Sequence, residues 1–263
     1  GVVSNTSAHR KDPLVPLLIP EINASHLDII PEQQKAYGWE KGFIVVKSNC
    51  SIQSFILPLF LLEKAFGVER VITTTVQAIS GAGHPGTPSL DILGNIIPFI
   101  SGEEEKTESE PLKILGEISD KKIKPTSSLV ISSQCMRGPV IDGHLASVSF
   151  SLKTKTHLES IKKLLQSYCP QREINELPSS PNKTLIFHES NNFLQPRKHV
   201  NMENGMAFHV GRLRECPILD YKFIGLSHNT IRGAAGGGIY NAELLAQKGF
   251  FSSHLHARKT ASC

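Results

Sequence analysis

Between Phe43 and Leu62 the chain passes from an unbroken apolar run, Phe43-Ile44-Val45-Val46, through Lys47 and the polar segment Ser48-Asn49-Cys50-Ser51, into a helical pattern over residues 52–62. An apolar run without alternation suits a parallel strand covered on both faces. Such a strand feeding an apolar helix is the start of a βα unit, which makes the chain α/β. The junction places a cysteine beside backbone N–H groups and the positive end of a helix dipole, and both favour a thiolate. A thiolate is the nucleophile that attacks an acyl or aldehyde carbon. A lone cysteine has a second reading, as a small buried hydrophobe without chemistry.

The bulk numbers narrow the partners. A chain of 263 residues has room for one large domain or two small ones. The net charge of +4, with no long Lys/Arg tract and no basic-aromatic interleaving, speaks against nucleic acid and suits a small anionic substrate. Five cysteines, odd in number and without a CxxC, speak against a disulfide framework and a zinc site; no metal is expected, and a reducing cytoplasm is. No apolar run reaches membrane-spanning length, so no membrane partner is expected. The chain opens on Gly1 rather than Met, and Val2-Val3-Ser4-Asn5 reads as the end of a buried strand, as in a fragment or processed form.

Along the chain, Val15 to Pro20 is bracketed by prolines and reads as an edge strand. Residues 52–66 read as a helix, and Arg70 to Ala78 as a strand. A Gly/Pro-dense loop follows at Ser80 to Gly86. A helix is expected from Glu110 to Ile118, antiparallel strands over residues 129–133 and 144–153, and a helix over residues 156–166. Residues 170–204 read as a long surface excursion, 221–226 as a strand, 239–246 as a helix and 252–263 as a frayed tail.

Several segments together resemble the fungal and archaeal type of aspartate-semialdehyde dehydrogenase. They are Ser48-Asn49-Cys50-Ser51, Gln77 to Gly83, Pro88 to Leu93, Gly102-Glu103-Glu104-Glu105-Lys106, Arg137 to His144, and Asn229 to Gly237 followed by Asn241-Ala242-Glu243. The resemblance implies a partial Rossmann domain plus an α+β catalytic and dimerisation domain similar to the C-terminal domain of glyceraldehyde-3-phosphate dehydrogenase. Its boundaries would fall at 1–48 (end of the NADP-binding domain), 49–227 (catalytic and dimerisation domain) and 228–263 (returning helix plus tail). It further implies NADPH-dependent reductive dephosphorylation of L-4-aspartyl phosphate, with inorganic phosphate released, in a cytoplasmic homodimer or homotetramer.

The resemblance also assigns roles. Cys50 would attack the acyl phosphate and carry a thioacyl group, with Asn49 positioning it. His144 would be the general base, taking the thiol proton and returning one to a developing alkoxide. Arg137, seven residues before His144, would hold the substrate carboxylate in its guanidinium fork. Glu103 would take the ammonium, Lys106 and Arg10 the phosphate, and Gln77 would orient the acyl group. Glu110 and Lys113 share the spacing of Glu103 and Lys106 and stand as the other register. NADP would be bordered by Ser4, Asn5, Ser80, Gly81, Gly83, Gly236, Gly237 and Asn241.

No strand-GxxGxxG-helix unit lies near the N-terminus. By comparison with the family, about one mononucleotide-binding half is missing. Poor NADP affinity is then expected, with apolar surface left bare around residues 15–20, 43–46 and 239–250. Two other readings remain open: a relative with the same thioacyl chemistry on another substrate, such as malonyl-CoA reductase, and a truncated, inactive dimer-forming product.

Overall fold

The computed structural model describes residues 1–251; the tail expected over 252–263 lies outside the described residues. Among the described residues, eleven strands form three sheets. A small parallel sheet, in the order β1 (Val2–Ser4), β3 (Ile44–Lys47), β2 (Leu17–Leu18), carries the apolar run of the opening residues at its centre. The principal sheet comprises β4 (Val68–Gln77), β7 (Val130–Arg137), β8 (His144–Leu152), β9 (Leu185–His188), β10 (Phe208–Glu215) and β11 (Tyr221–Ser227), ordered β7-β4-β8-β11-β10-β9. A two-stranded ribbon, β5 (Glu117–Ser119) with β6 (Lys122–Lys124), completes the set. Five longer helices matter here: α1 (Ile30–Tyr37), α2 (Ile56–Phe66), α3 (Glu103–Ile114), α4 (Leu158–Gln166) and α5 (Ala235–Gln247).

Helices α2 and α4 cover one face of the principal sheet. Leu57, Leu61, Ile161 and Leu165 meet Val71, Val148, Phe150, Val210 and Phe223 there in the main core. The opposite face stays open, with Ile72 51% and Val130 69% exposed. No helix among the described residues is long and apolar enough to cross a membrane.

Several expectations are corrected. The segments at 129–133 and 144–153 are strands but not partners: β7 runs parallel to β4, which lies between them and pairs antiparallel with β8. A parallel pair needs a crossover, and α3 supplies it. That helix starts at Glu103 rather than Glu110. Its first turn carries Glu103, Glu104 and Glu105, which complement the N-terminal dipole, and Pro111 sits inside it rather than at its start. The helix expected from residue 52 begins as a 3₁₀ turn, Ile52–Ser54, and becomes α-helical only at Ile56. Strand β10 was not foreseen, because Gly211 and a left-handed Arg212 (φ 55°) break its pattern. The excursion at 170–204 contains β9 and sends Ile174 and Leu177 inward.

The apolar stretches expected to lie bare are instead buried. Leu18, Phe43, Val45, Tyr240, Leu244 and Leu245 form a second core with Leu27, Ile30, Ile174, Leu177 and Met206. Helix α5 closes over the small sheet, while its outward Ile239 remains 56% exposed. Strand β1 is at the rim rather than buried, with Val2 53% exposed.

Candidate active site

Four strand ends of the principal sheet meet at one edge. Gln77 ends β4, and its register partner Arg137 ends β7. His144 begins β8, which runs the other way, and pairs with Ser227 at the end of β11. The strand-to-helix junction after β3 brings Cys50 to this edge, and the α3 crossover brings Glu103. Cys50, Gln77, Glu103 and Arg137 line one cleft of about 480 Å³ with Asn5, Arg10, Asn49, Ser80, Gly81, Gly83, Lys106, Asn229, Gly233 and Ala234, and His144 lies behind its wall against Cys50 and Gly81.

Cys50 Sγ lies 3.3 Å from His144 Nε2. The other ring nitrogen, Nδ1, accepts the Ala78 N–H at 2.9 Å. A neutral imidazole carries one proton, so that proton is on Nε2 and points at sulfur. His144 is fully buried, and burial together with the Arg137 charge lowers its pKa to about 3. In this arrangement Nε2–H faces the sulfur as a donor. Burial and Glu103 push the Cys50 thiol up, and Lys47 pulls it back. The helix-dipole argument for the thiolate falls away, because the α-helix starts six residues downstream of Cys50.

Asn49 is pinned at its backbone N–H and at both polar atoms of its side chain. Its backbone N–H donates to Glu110 Oε2 at 2.7 Å, and its Oδ1 accepts from Ser51 N and Oγ at 2.8 and 2.6 Å. Its Nδ2 donates to both oxygens of Glu103 at 2.9 Å. Glu103 also accepts from Gln77 Nε2 at 3.1 Å and from Lys106 Nζ at 2.8 Å. Burial disfavours its charge, but these hydrogen bonds outweigh burial and hold Glu103 below the usual carboxylate range. Arg137, buried, donates from Nη1 to Ala78 O at 2.7 Å, which fixes the guanidinium plane.

The two alternative carboxylate-lysine registers have separate positions. Glu103 and Lys106 line the cleft. Glu110 pairs with Arg10 at 3.0 Å, and Lys113 Nζ donates to the carbonyls of Arg10, Asp12 and Val15 at 2.6–2.8 Å. The second pair thus braces the segment that carries Arg10.

Among the residues expected near a cofactor, Asn5, Ser80, Gly81 and Gly83 line the cleft; Ser4, Gly236, Gly237 and Asn241 do not. The Ser4 hydroxyl bonds Thr6. Asn241 is buried and donates to Leu18 O at 3.2 Å, so it ties α5 to the small sheet. At Gly236 a Cβ would meet Ile231 and Met206, and at Gly237 it would lie 2.3 Å from Lys47 Cε. These two glycines serve helix packing. The small residues that do face the cleft from this side are Gly233 and Ala234. Opposite them stands Gly81, where a Cβ would come within 2.8 Å of His144 Cε1. This wall without bulk fits a flat ring such as a nicotinamide approaching Cys50.

Residues that the sequence reading passed over also shape the site. Asn229 Nδ2 donates to Ser80 Oγ at 2.8 Å, and its Oδ1 accepts from Gly143 N at 2.8 Å. Ser80 Oγ in turn donates to Asp142 at 2.8 Å. This chain binds the loop before His144 to both cleft walls. Asn229 lay inside a quoted motif, but nothing in its spacing announced the role. Lys47 had a visible signal, as the one charge closing an apolar strand.

Residues 59–232 match the family model described as semialdehyde dehydrogenase, dimerisation domain. The chain is 44% identical over 255 residues to aspartate-semialdehyde dehydrogenase of Cryptococcus neoformans, covering 94% of this chain and 70% of that protein. It is 44% identical over 247 residues to the enzyme of that name from Archaeoglobus fulgidus, again covering 94% and 70%. The crystal structure of aspartate semialdehyde dehydrogenase with NADP from Candida albicans superposes with a TM-score of 0.84 at 38% identity, covering 95% of this chain and 71% of that one.

Proposed function

The chain belongs to the aspartate-semialdehyde dehydrogenase family, and on that premise we propose that it reduces L-4-aspartyl phosphate to L-aspartate 4-semialdehyde with NADPH, through a thioacyl group on Cys50. The observation that carries the reading is the Cys50 Sγ to His144 Nε2 contact of 3.3 Å, in a cleft that also holds Arg137 and Glu103.

Cys50 sulfur attacks the acyl carbon; the C–S bond forms, the bond from carbon to the phosphate oxygen breaks, and phosphate leaves as hydrogen phosphate, carrying the thiol proton. Arg137, already fixed to Ala78, offers its remaining N–H groups to the substrate carboxylate. The substrate ammonium takes the place of Lys106 on Glu103, and Lys106 then turns with Arg10 to the phosphate. Gln77 orients the acyl group. NADPH, when bound against Gly81, Gly83, Gly233 and Ala234, supplies the hydride. His144 Nε2–H donates a hydrogen bond to the oxygen that gains charge during reduction, without giving up its proton. Re-formation of the carbonyl then breaks the C–S bond and frees the aldehyde.

The Glu103 anion favours an amino-acid substrate over malonyl-CoA, which offers it no ammonium. The open sheet face, with Ile72 and Val130, and the exposed Leu90, Leu93 and Phe99 supports pairing of two copies into a homodimer. A cytoplasmic setting suits this chemistry. The test is NADPH oxidation with aspartyl phosphate and with malonyl-CoA, for the protein and for Cys50→Ala. Oxidation with aspartyl phosphate alone, lost in C50A, is the expected result; turnover of malonyl-CoA instead, or activity retained in C50A, overturns the reading.

A further inference from the structure

Glu110 lies two turns after Glu103 on α3, on the same side of the helix, and both residues are buried. A carboxylate so deep is costly unless it is paired and hydrogen-bonded. Each oxygen of Glu110 takes a partner from a different part of the site. Oε1 accepts from Arg10 Nη1 at 3.0 Å, and Oε2 accepts from the Asn49 backbone N–H at 2.7 Å. Burial pushes its carboxyl pKa up, while Arg10 and the Asn49 N–H pull it down, so both bonds help to keep it ionised.

Both partners belong to the chemistry of the cleft. Asn49 is the residue before Cys50, and Arg10 is the cation to which the phosphate was given above. Arg10 is held in place rather than settled there by its own hydrogen bonds. Its Nη2 donates to Asn5 O at 2.8 Å, yet its Nε is buried with no partner among the described residues. An orphaned buried donor is costly, so the stance is imposed by Glu110 and Asn5. Lys113, one turn further along α3, fixes the same segment through the carbonyls of Arg10, Asp12 and Val15. One helix therefore grips the Asn49 turn twice, through its side chain at Glu103 and its backbone at Glu110, and carries Arg10 on the second grip.

We propose that Glu110 is a positioning residue for departure of the phosphate: its two oxygens fix Arg10 relative to the Cys50 turn, so that a phosphate held by Arg10 lies against the sulfur that displaces it. The inference rests on the roles given above to Arg10 and Cys50. Glu110 touches no substrate and exchanges no proton; the bonds made and broken are those of the thioacyl step. Glutamine at 110 would turn an amino group, a donor, toward one of two donors. Aspartate would keep the charge but stop one methylene short. In either case Arg10 keeps its own charge and parts from the turn.

The test uses the whole chain, with inorganic phosphate as the probe and no turnover. Modification of Arg10 by phenylglyoxal and of Cys50 by iodoacetamide is read by peptide mass spectrometry, with exposed Cys169 as internal reference. In the parent, phosphate should slow both reactions. In Glu110→Gln that melts like the parent, phosphate should still shield Arg10 but no longer Cys50. Glu110→Asp, which keeps the buried charge, should show the same split and serves if E110Q does not fold. Shielding of Cys50 that survives in a folded variant, loss of both shieldings together, or phosphate that shields neither residue in the parent overturns the proposal. Single-turnover release of phosphate from aspartyl phosphate, without NADPH, should slow about 10- to 100-fold in E110Q at saturating substrate. A parent that releases no phosphate defeats the dehydrogenase reading, whereas the shielding pattern decides this inference by itself.

Discussion

Gly81→Ala is the sharpest perturbation of the site, because its consequence can be worked from distances. A Cβ at residue 81 would lie 2.8 Å from His144 Cε1, 3.0 Å from Nε2 and 3.3 Å from Arg137 Nη1. Ordinary contact begins near 3.4 Å, so the imidazole must retreat by about 0.6 Å. His144 cannot follow freely, because Ala78 N–H holds Nδ1 and the ring is fully buried. Its Nε2–H therefore swings away from the reacting oxygen. A misplacement of about 1 Å costs about 100-fold in rate, so G81A should lose about tenfold in kcat, with a smaller rise in KM from Arg137. The assay is steady-state NADPH oxidation with aspartyl phosphate, alongside thermal melting. Unchanged kcat in a variant shown by crystallography to carry the extra methyl would refute the placement of His144 as donor.

Arg137→Lys keeps the charge but loses the fork, and removes the bond to Ala78 O. KM for aspartyl phosphate should rise about 10- to 100-fold, measured at saturating NADPH. Arg232 pairs with Glu21 at 2.6 Å, both buried, and its guanidinium lies over the Phe208 ring at 4.2 Å. Arg232→Met leaves Glu21 without its cation and should cost about 3–5 kcal/mol in urea unfolding, partly restored by adding Glu21→Gln. His144 and His209 both have pKa values lowered by burial from 6.5 to about 3. Below pH 6.5 the unfolded chain takes up protons that the folded one refuses. Stability is therefore intact above pH 6.5 and falls from there towards pH 3, by about 1.4 kcal/mol per pH unit for each histidine. His209→Gln should reduce that slope by one histidine's share, seen in melts across the range.

Much of the site was legible because its members sit where strands end. Cys50, Gln77, Arg137 and His144 each flank a turn, and the topology brings those turns to one edge of the sheet. Glu103 was harder to place. A run of three glutamates reads as solvated surface, and a helix was expected only from Glu110; the crossover between two parallel strands is what makes that helix begin beside Asn49. Gly236 and Gly237 show a different limit. A glycine needed for close helix packing and one needed for approach of a ring look alike in a sequence, and distances to Ile231 and Lys47 decide between them. The apolar stretches at 15–20, 43–46 and 239–250 each suggested a bare surface. They cover one another, which no local pattern can express, since the pairing joins residues more than two hundred positions apart.

The account rests on covalent chemistry at Cys50, and the direct test is to mix the protein with aspartyl phosphate in the absence of NADPH. The prediction is release of phosphate stoichiometric with enzyme, and an aspartyl adduct on the peptide containing Cys50, labile to hydroxylamine and discharged by NADPH. Phosphate retained, or an adduct that forms equally in Cys50→Ala, would contradict it.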